Sequence, residues 1–171
     1  MKNAYFAGGC FWCISYTFEN IKGVKDVISG FSGGDEMNPT YEDVKAQKTL
    51  HRETIKIEYD ENICSFEKLL RVFITNVDPF DADGQFIDRG RSYSLAIYYN
   101  DEEEYQISKQ YINKLKEESN KEVFISLEKF KNFYEAEEYH QHYAQKNKQA
   151  FEEELISSGR KKSWKNIYWL F

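Results

Sequence analysis

Residues 4–16 read AYFAGGCFWCISY and join an apolar stretch, a glycine pair and two cysteines. Residues 4–7 predict a short buried strand, and the apolar spacing from Phe11 onward predicts a helix over residues 11–20. Gly8 and Gly9 lie between the two and let the backbone approach another group closely. This stretch therefore predicts a strand that turns directly into a helix, with Cys10 in the first helical turn.

Outward from this junction, the pattern continues as an alternation of strands and helices. Strands are predicted over residues 24–31, 53–60, 93–99 and 123–127, and helices over 66–77, 101–119 and most of 135–158. Ser65 and Asp101 are the expected N-caps, and residues 32–40 and 78–92 are expected to be long loops. The order β-α-β-β-α-β, followed by α-β-α, predicts an α+β protein with a ferredoxin-like split βαβ core. Its sheet would be mainly antiparallel with helices packed on it, and a helical C-terminal segment would extend from it.

The composition limits the function. With 171 residues the chain fits one domain, 1–171, and we expect a monomer. The net charge of −6 argues against nucleic acid as the partner. No stretch resembles a membrane span or a signal peptide, and three cysteines do not make a disulfide framework. A cytoplasmic protein is expected, and there a close cysteine pair is more often catalytic or metal-binding than structural.

The cysteine pair favours thiol chemistry. At a helix N-terminus, free N–H groups and the helix dipole would lower the pKa of Cys10 and give an exposed, nucleophilic thiolate. Cys13 lies one turn later on the same face, within plausible reach of a disulfide. Phe11 and Trp12 offer an apolar cage the size of a methyl group. Together these features suit a substrate that carries oxidised sulfur.

Other functions also fit the pair taken alone. The cysteines could be inert core residues. A non-catalytic zinc-binding module could use Cys10, Cys13, Cys64 and a histidine, although a second ligand pair is missing from the sequence. A general CxxC disulfide oxidoreductase is the third alternative.

The ordered motifs of the chain resemble those of a known family, the class A peptide methionine sulfoxide reductases. The motifs are GGCFWC at residues 8–13, GFSGG at 30–34, NPTYEDV at 38–44, HRE at 51–53, DRGRSY at 88–93 and EYHQ at 138–141. Each is weak alone, but the set is specific in its order. The resemblance covers about residues 4–145 and leaves 146–171 as a C-terminal helical and aromatic tail.

The resemblance implies a role for each matching residue. Cys10 would attack the sulfur of methionine S-sulfoxide, free or in a protein, and Phe11 and Trp12 would hold the substrate methyl. Glu53 would be the acid that protonates the departing oxygen, with a pKa raised by burial. Tyr41 and Tyr93 would hydrogen-bond that oxygen, and Asp88 would support this polar cluster. No cofactor or metal is implied; thioredoxin, or dithiothreitol in the laboratory, would supply the electrons.

Each residue to which the resemblance gives an acid or hydrogen-bonding role could instead have a purely structural role. Glu53 could lie on a solvated strand face. Tyr41 and Tyr93 could be ordinary core rings, and Asp88 a turn residue. His140 and His142 are two positions apart and are expected to be structural only.

The chain departs from the family pattern where the second thiol is concerned. Many members have glycine at the position of Cys13 and a resolving cysteine in a C-terminal tail, whereas the last cysteine here is Cys64. Cys13 is therefore the expected resolving thiol, with Cys64 as the alternative. Phe31 also replaces a common tyrosine, and the motif around Asp88 is altered. We expect the aromatic residues of the tail to pack on the body and its lysines to stay solvated.

Overall fold

The computed structural model of the protein describes residues 1–160. The predicted packing of the tail rings Trp164, Tyr168, Trp169 and Phe171, and the solvation of Lys161, Lys162 and Lys165, concern positions outside this range. The elements in chain order are β1 (Lys2–Gly8), α1 (Phe11–Phe18), β2 (Val24–Ser32), α2 (Tyr41–Lys45), β3 (Arg52–Tyr59), α3 (Phe66–Thr75), β4 (Gly84–Gln85), β5 (Asp88–Arg89), β6 (Leu95–Tyr99), α4 (Glu102–Ser119), β7 (Ile125–Lys129), β8 (Tyr134–Glu135), α5 (Tyr143–Lys146) and α6 (Lys148–Ser158). Single 3-10 turns occupy Arg91–Tyr93 and Glu138–His140.

The main sheet has six strands in the order β7-β6-β1-β3-β2-β8. Every neighbouring pair is antiparallel except β6 and β7, which are parallel and connected through α4. The inner order β6-β1-β3-β2 is that of a split βαβ core with α1 and α3 as its crossover helices. The predicted α+β, ferredoxin-like fold with a mainly antiparallel sheet is therefore confirmed.

Local sequence signals determine where the helices that pack on this sheet begin. The Ser65 hydroxyl accepts a hydrogen bond from the Lys68 N–H at 3.1 Å, and the Asp101 carboxylate accepts one from the Glu104 N–H at 2.8 Å. These bonds confirm both predicted N-caps. Phe73 of α3 stacks on Phe6 of β1 with ring centroids 4.8 Å apart. Burial of these aromatic residues holds α3 against the centre of the sheet.

Three segments differ from the sequence-based expectation. A short helix, α2, follows the first long loop because Thr40 caps it, and the second loop contains the β4–β5 hairpin. The expected helix over 135–158 is broken into a strand, a 3-10 turn and two helices. His142 adopts a left-handed φ of 51° and Asn147 a non-helical φ of −132°, so neither residue continues a helix. Among the described helices, none combines the length and apolar character that crossing a bilayer needs.

Candidate active site

Cys10 lies at the junction between β1 and α1, where the fold fixes the backbone. Gly9 has a φ of +84°, and a Cβ there would lie 2.7 Å from the Gln85 Cβ and 3.0 Å from the Arg160 Nη2. Only glycine fits such a position without strain. Cys10 is then the N-cap residue of α1, and its carbonyl accepts the first helical hydrogen bond, from Ile14. The predicted strand–glycine–helix arrangement is confirmed.

The Cys10 side chain is buried, contrary to the expectation of an exposed thiol. Its residue is 5% exposed and Cys13 is 2% exposed. Both belong to a small apolar cluster with Ala144, Phe151 and Leu155. The helices that provide this cover, α5 and α6, come from the last part of the described chain. The sequence around Cys10 therefore could not reveal its burial.

The predicted lowering of the Cys10 pKa is also wrong for this reduced state. A hydrogen bond with Cys13 and burial raise the pKa of Cys10 well above the usual thiol value. The negative charges of Glu53 and Glu154 act in the same direction. The helix N-terminus does not compensate, since Cys10 makes no side-chain cap hydrogen bond. The resting thiol is therefore protonated, and its activation needs a proton acceptor.

The free N–H group at the start of α1 is bonded to Glu53 and not to the Cys10 sulfur. Its Oε2 accepts a hydrogen bond from the Phe11 N–H at 3.1 Å, and the residue is 3% exposed. Burial is the main cause that raises the pKa of Glu53 well above the usual carboxyl value, and the Phe11 N–H opposes it. The predicted direction of this shift is confirmed, and a solvated position for Glu53 is excluded. A carboxyl group of this kind holds a proton at a pH where an exposed glutamate has lost it.

Aromatic rings surround the two cysteines on one side. Trp12 stacks on Tyr143 with centroids 3.9 Å apart, and its Nε1–H donates to the His140 Nδ1 at 3.0 Å. His140 is fully buried, and burial lowers its pKa, which favours the neutral ring that this acceptor role requires. Phe11 is 1% exposed and lies in the main core behind Trp12. Only Trp12 of the predicted pair is thus accessible on this face.

The three remaining predicted site residues come from distant parts of the sequence but lie close together in the structure. Tyr41 opens α2, Asp88 lies on β5, and Tyr93 ends the 3-10 turn that follows. Burial raises the pKa of both tyrosines, and the nearby charges of Glu53 and Cys10 raise them further. Burial also raises the pKa of Asp88. The structure brings the predicted acid, hydroxyl and carboxyl groups together around Cys10.

Glu154 is a site residue that the sequence did not identify. Its Oε1 lies 3.9 Å from the Cys10 Sγ and accepts a hydrogen bond from the thiol. In the sequence it is one of three consecutive glutamates in a predicted helix, so no local signal distinguishes it. His140 and Tyr143 likewise contact Trp12, and only the motif EYHQ pointed to their neighbourhood.

Cys64 lies at the other end of the sheet from Cys10. It packs beside Gly23, where an added Cβ would lie 2.7 Å from the Cys64 Cβ, next to the end of β1 at which Lys2 pairs with Tyr59. Cys10 follows the opposite end, and the seven residues of β1 separate the two by roughly 20 Å. The alternative zinc ligand set with Cys64 is therefore not assembled. Within residues 1–160, the donor atoms of Cys10, Cys13 and Glu154 do lie within 4.8 Å of one another, but a structural zinc site needs four ligands.

Comparison with known proteins identifies the family. A family model described as peptide methionine sulfoxide reductase matches residues 2–169. Peptide methionine sulfoxide reductase MsrA of Bacillus velezensis is 43% identical over 159 residues, which cover 92% of this chain and 90% of that protein. The structure of methionine sulfoxide reductase A of Corynebacterium diphtheriae aligns with a TM-score of 0.77 and 28% identity, over 85% of this chain and 74% of that one.

The fold likeness extends to Mxr1 from Saccharomyces cerevisiae in its reduced form, with a TM-score of 0.81 and 24% identity over 86% of both chains. Mxr1 has also been solved in complex with Trx2, and that structure aligns with a TM-score of 0.53 and 14% identity over 84% of both chains. The family match over residues 2–169 includes both cysteines of the Cys10–Cys13 pair. The chain belongs to the peptide methionine sulfoxide reductase family.

Proposed function

We propose that the protein reduces methionine S-sulfoxide, free or within proteins, to methionine through a sulfenic acid on Cys10. Membership of the family supports the reaction. The observation that carries the assignment is the buried Glu53 carboxyl, held by the Phe11 N–H next to Cys10. A sulfoxide oxygen needs a proton as its bond to sulfur breaks, and a carboxyl group that stays protonated near neutral pH can supply it.

In the first step, the Cys10 thiolate attacks the sulfoxide sulfur while Glu53 protonates the oxygen. The Tyr41 and Tyr93 hydroxyls donate hydrogen bonds to that oxygen as its negative charge develops, and Asp88 supports this polar group. Trp12, backed by Phe11, holds the substrate methyl. The protonated oxygen is then transferred to the Cys10 sulfur, which becomes a sulfenic acid, as the transient bond between the two sulfurs breaks. The electron pair of that bond stays on methionine, which leaves with two more electrons than the sulfoxide had.

In the second step, the Cys13 thiol condenses with the sulfenic acid, and a Cys10–Cys13 disulfide and water form. Cys13 is supported over Cys64 because its Sγ lies within 4.8 Å of the Cys10 Sγ, while Cys64 is at the far end of β1. The disulfide is reduced by thioredoxin, as the complex of Mxr1 with Trx2 suggests by analogy. The reaction uses no prosthetic group, and its dependence on an external dithiol fits a cytoplasmic protein.

The test is turnover of single enantiomers of a methionine sulfoxide with dithiothreitol. We expect the S form to be reduced, the R form to be left, and Cys10→Ser to abolish activity. Cys64→Ser serves as the matched cysteine control and should behave like the wild type. Absence of turnover of the S form, or full turnover by Cys10→Ser, contradicts the proposal. Insulin reduction without any sulfoxide would instead support a general disulfide oxidoreductase.

A further inference from the structure

Activation of Cys10 requires a group that takes its proton, and the residues given a role in the proposed reaction do not provide one. Glu53 is protonated when it acts as the acid, so it cannot accept a second proton. The Phe11 N–H is already bonded to Glu53 and does not stabilise a thiolate. Cys13 shares a hydrogen bond with Cys10 that keeps the latter protonated. The acceptor must therefore come from elsewhere.

We infer that Glu154 of α6 is a further catalytic residue, the base that takes the proton from Cys10 at the start of the reaction. Its Oε1 already accepts the hydrogen bond of the thiol at 3.9 Å. The donor atoms of Cys10, Cys13 and Glu154 lie within 4.8 Å of one another, so the same carboxylate also reaches the resolving thiol. The inference rests on the proposed reduction of methionine sulfoxide.

The packing of α6 holds Glu154 in this place. Phe151 and Leu155, on either side of Glu154 in sequence, are 4% and 6% exposed and pack into the cluster that contains both cysteines. Glu154 itself is half-buried, whereas Glu153 beside it is exposed and bonded to Gln149. The helix therefore directs one of its three consecutive glutamates towards the thiol and leaves Glu153 in solvent.

The surroundings of Glu154 make proton transfer from a thiol feasible. Burial and the neighbouring charge of Asp88 raise the pKa of Glu154, which brings it nearer to that of a thiol. The charge of Arg160, the hydrogen bond from Cys10 and the charge of Lys45 act in the opposite direction. In the part of the chain that the structure describes, residues 1–160, the other groups that interact electrostatically with Cys10 are Cys13, Glu53, Tyr41, Tyr93 and Tyr143. All three tyrosines have raised pKa values and stay protonated, so among the described groups Glu154 is the carboxylate available to act as base.

The protons and electrons balance over one catalytic cycle. The S–H bond of Cys10 breaks, its proton moves to Glu154, and the electron pair left on sulfur forms a bond to the sulfoxide sulfur. That bond breaks again when the oxygen is transferred to Cys10, and its electron pair leaves with methionine. Over both steps two thiols become one disulfide, the sulfoxide is reduced, and the oxygen leaves as water. The proton held by Glu154 is one of the two that this water carries away.

The test compares Glu154→Gln with Glu153→Gln, which removes a neighbouring exposed charge from the same helix. The readout is the single-turnover rate of Cys10 thiol consumption by methionine S-sulfoxide over a range of pH. We expect Glu154→Gln to be slower by about 100-fold near pH 7, with the deficit shrinking at higher pH as hydroxide replaces the base. Glu153→Gln should match the wild type. Glu154→Asp retains a carboxylate and should recover part of the rate, which keeps the test valid if Glu154→Gln folds poorly.

A second measurement separates proton transfer from a structural effect. Removing the negative charge near Cys10 should favour its thiolate, so alkylation of Cys10 by iodoacetamide should be as fast in Glu154→Gln as in the wild type, or faster. Slower alkylation together with slower turnover indicates a structural role and overturns the inference, as does unchanged turnover in Glu154→Gln. Failure of the wild type to consume any sulfoxide contradicts the proposed function instead.

Discussion

The Phe11 N–H donates its hydrogen bond to the Glu53 carboxyl at 3.1 Å rather than to the sulfur of Cys10. The N-terminus of α1 therefore supports the acid of the site, while the nucleophile remains a buried thiol. Glu53 therefore holds the proton that the proposed reaction needs from its acid. Cys10 also holds a proton, which it must lose before it can act as the nucleophile. Proton removal from Cys10 thus becomes a distinct requirement of catalysis.

The identity of the resolving thiol can be read by mass spectrometry after one turnover without reductant. We expect the wild type to lose two hydrogens and to give a crosslinked peptide that joins Cys10 and Cys13, because these sulfurs are neighbours. Cys13→Ser should instead gain one oxygen as a trapped sulfenic acid. Cys64→Ser should behave like the wild type, and a Cys10–Cys64 crosslink would contradict the assignment.

Glu53→Gln should reduce the single-turnover rate by about 10²–10⁴-fold, since it removes the proton donor. The raised pKa of Glu53 keeps the carboxyl protonated as pH increases, so wild-type activity should fall only when pH rises through this pKa. Glu53→Gln should lack that alkaline decline. Glu104→Gln is the matched control, because Glu104 is a 4% exposed acid on α4 with a raised pKa but outside the site. Equal losses in both variants would argue against a specific role for Glu53.

The same pKa shift predicts the effect of Glu53 on stability. The folded pKa is above the unfolded value, so Glu53 contributes stability below the usual carboxyl pKa and loses it as pH rises through the folded pKa. Glu53→Gln escapes this loss, while its amide oxygen can still accept from Phe11. We expect its free energy of unfolding to exceed that of the wild type by about 1 kcal/mol or more near pH 8, with a smaller difference near pH 4. Urea denaturation at the two pH values measures this, and a constant difference would contradict it.

Tyr93→Phe should slow sulfoxide reduction by about 10- to 100-fold, because one hydrogen-bond donor to the developing oxyanion is lost. Tyr5→Phe is the control: Tyr5 is also 8% exposed, but it belongs to a separate cluster with Ala7, Ala96 and Tyr98. Rates with saturating substrate measure the effect on the chemical step. A Tyr93→Phe variant as fast as Tyr5→Phe would show that the Tyr93 hydroxyl is not used.

The burial of Cys10 predicts slow chemical modification. Cys10 in the reduced wild type should react with iodoacetamide near pH 7 more slowly than a peptide thiol, because burial and nearby carboxylates disfavour its thiolate. Phe151→Ala opens the apolar cover and should speed labelling, by about 10-fold if local opening limits access. Ile156→Ala, at a 61% exposed position of the same helix, should not. Labelling of the wild type at the rate of a free peptide would contradict this view of the site.

Most of the fold could be predicted from local patterns in the sequence. The strand–glycine–helix start, the caps at Ser65 and Asp101, and the order of strands and helices all depend on residues close in sequence. Prediction was less successful after residue 135, where single residues such as His142 end helices that the apolar spacing would continue. The His142 ring lies 3.6 Å from the Glu19 carboxylate and 3.3 Å from the Asp26 carboxylate, and such contacts between remote segments do not appear in a local pattern.

For the site, the sequence alone determined which residue types are present and in which order: the Cys10–Cys13 pair, Glu53, Tyr41, Tyr93 and Asp88. Only the tertiary structure decided the environment of each. It buried Cys10 under α6, gave the amide at the start of α1 to Glu53, and brought Glu154 from 144 positions away to the thiol. The physical reason is that burial and charge proximity depend on distances in space, and a distance between remote segments is fixed by the packing of the whole chain.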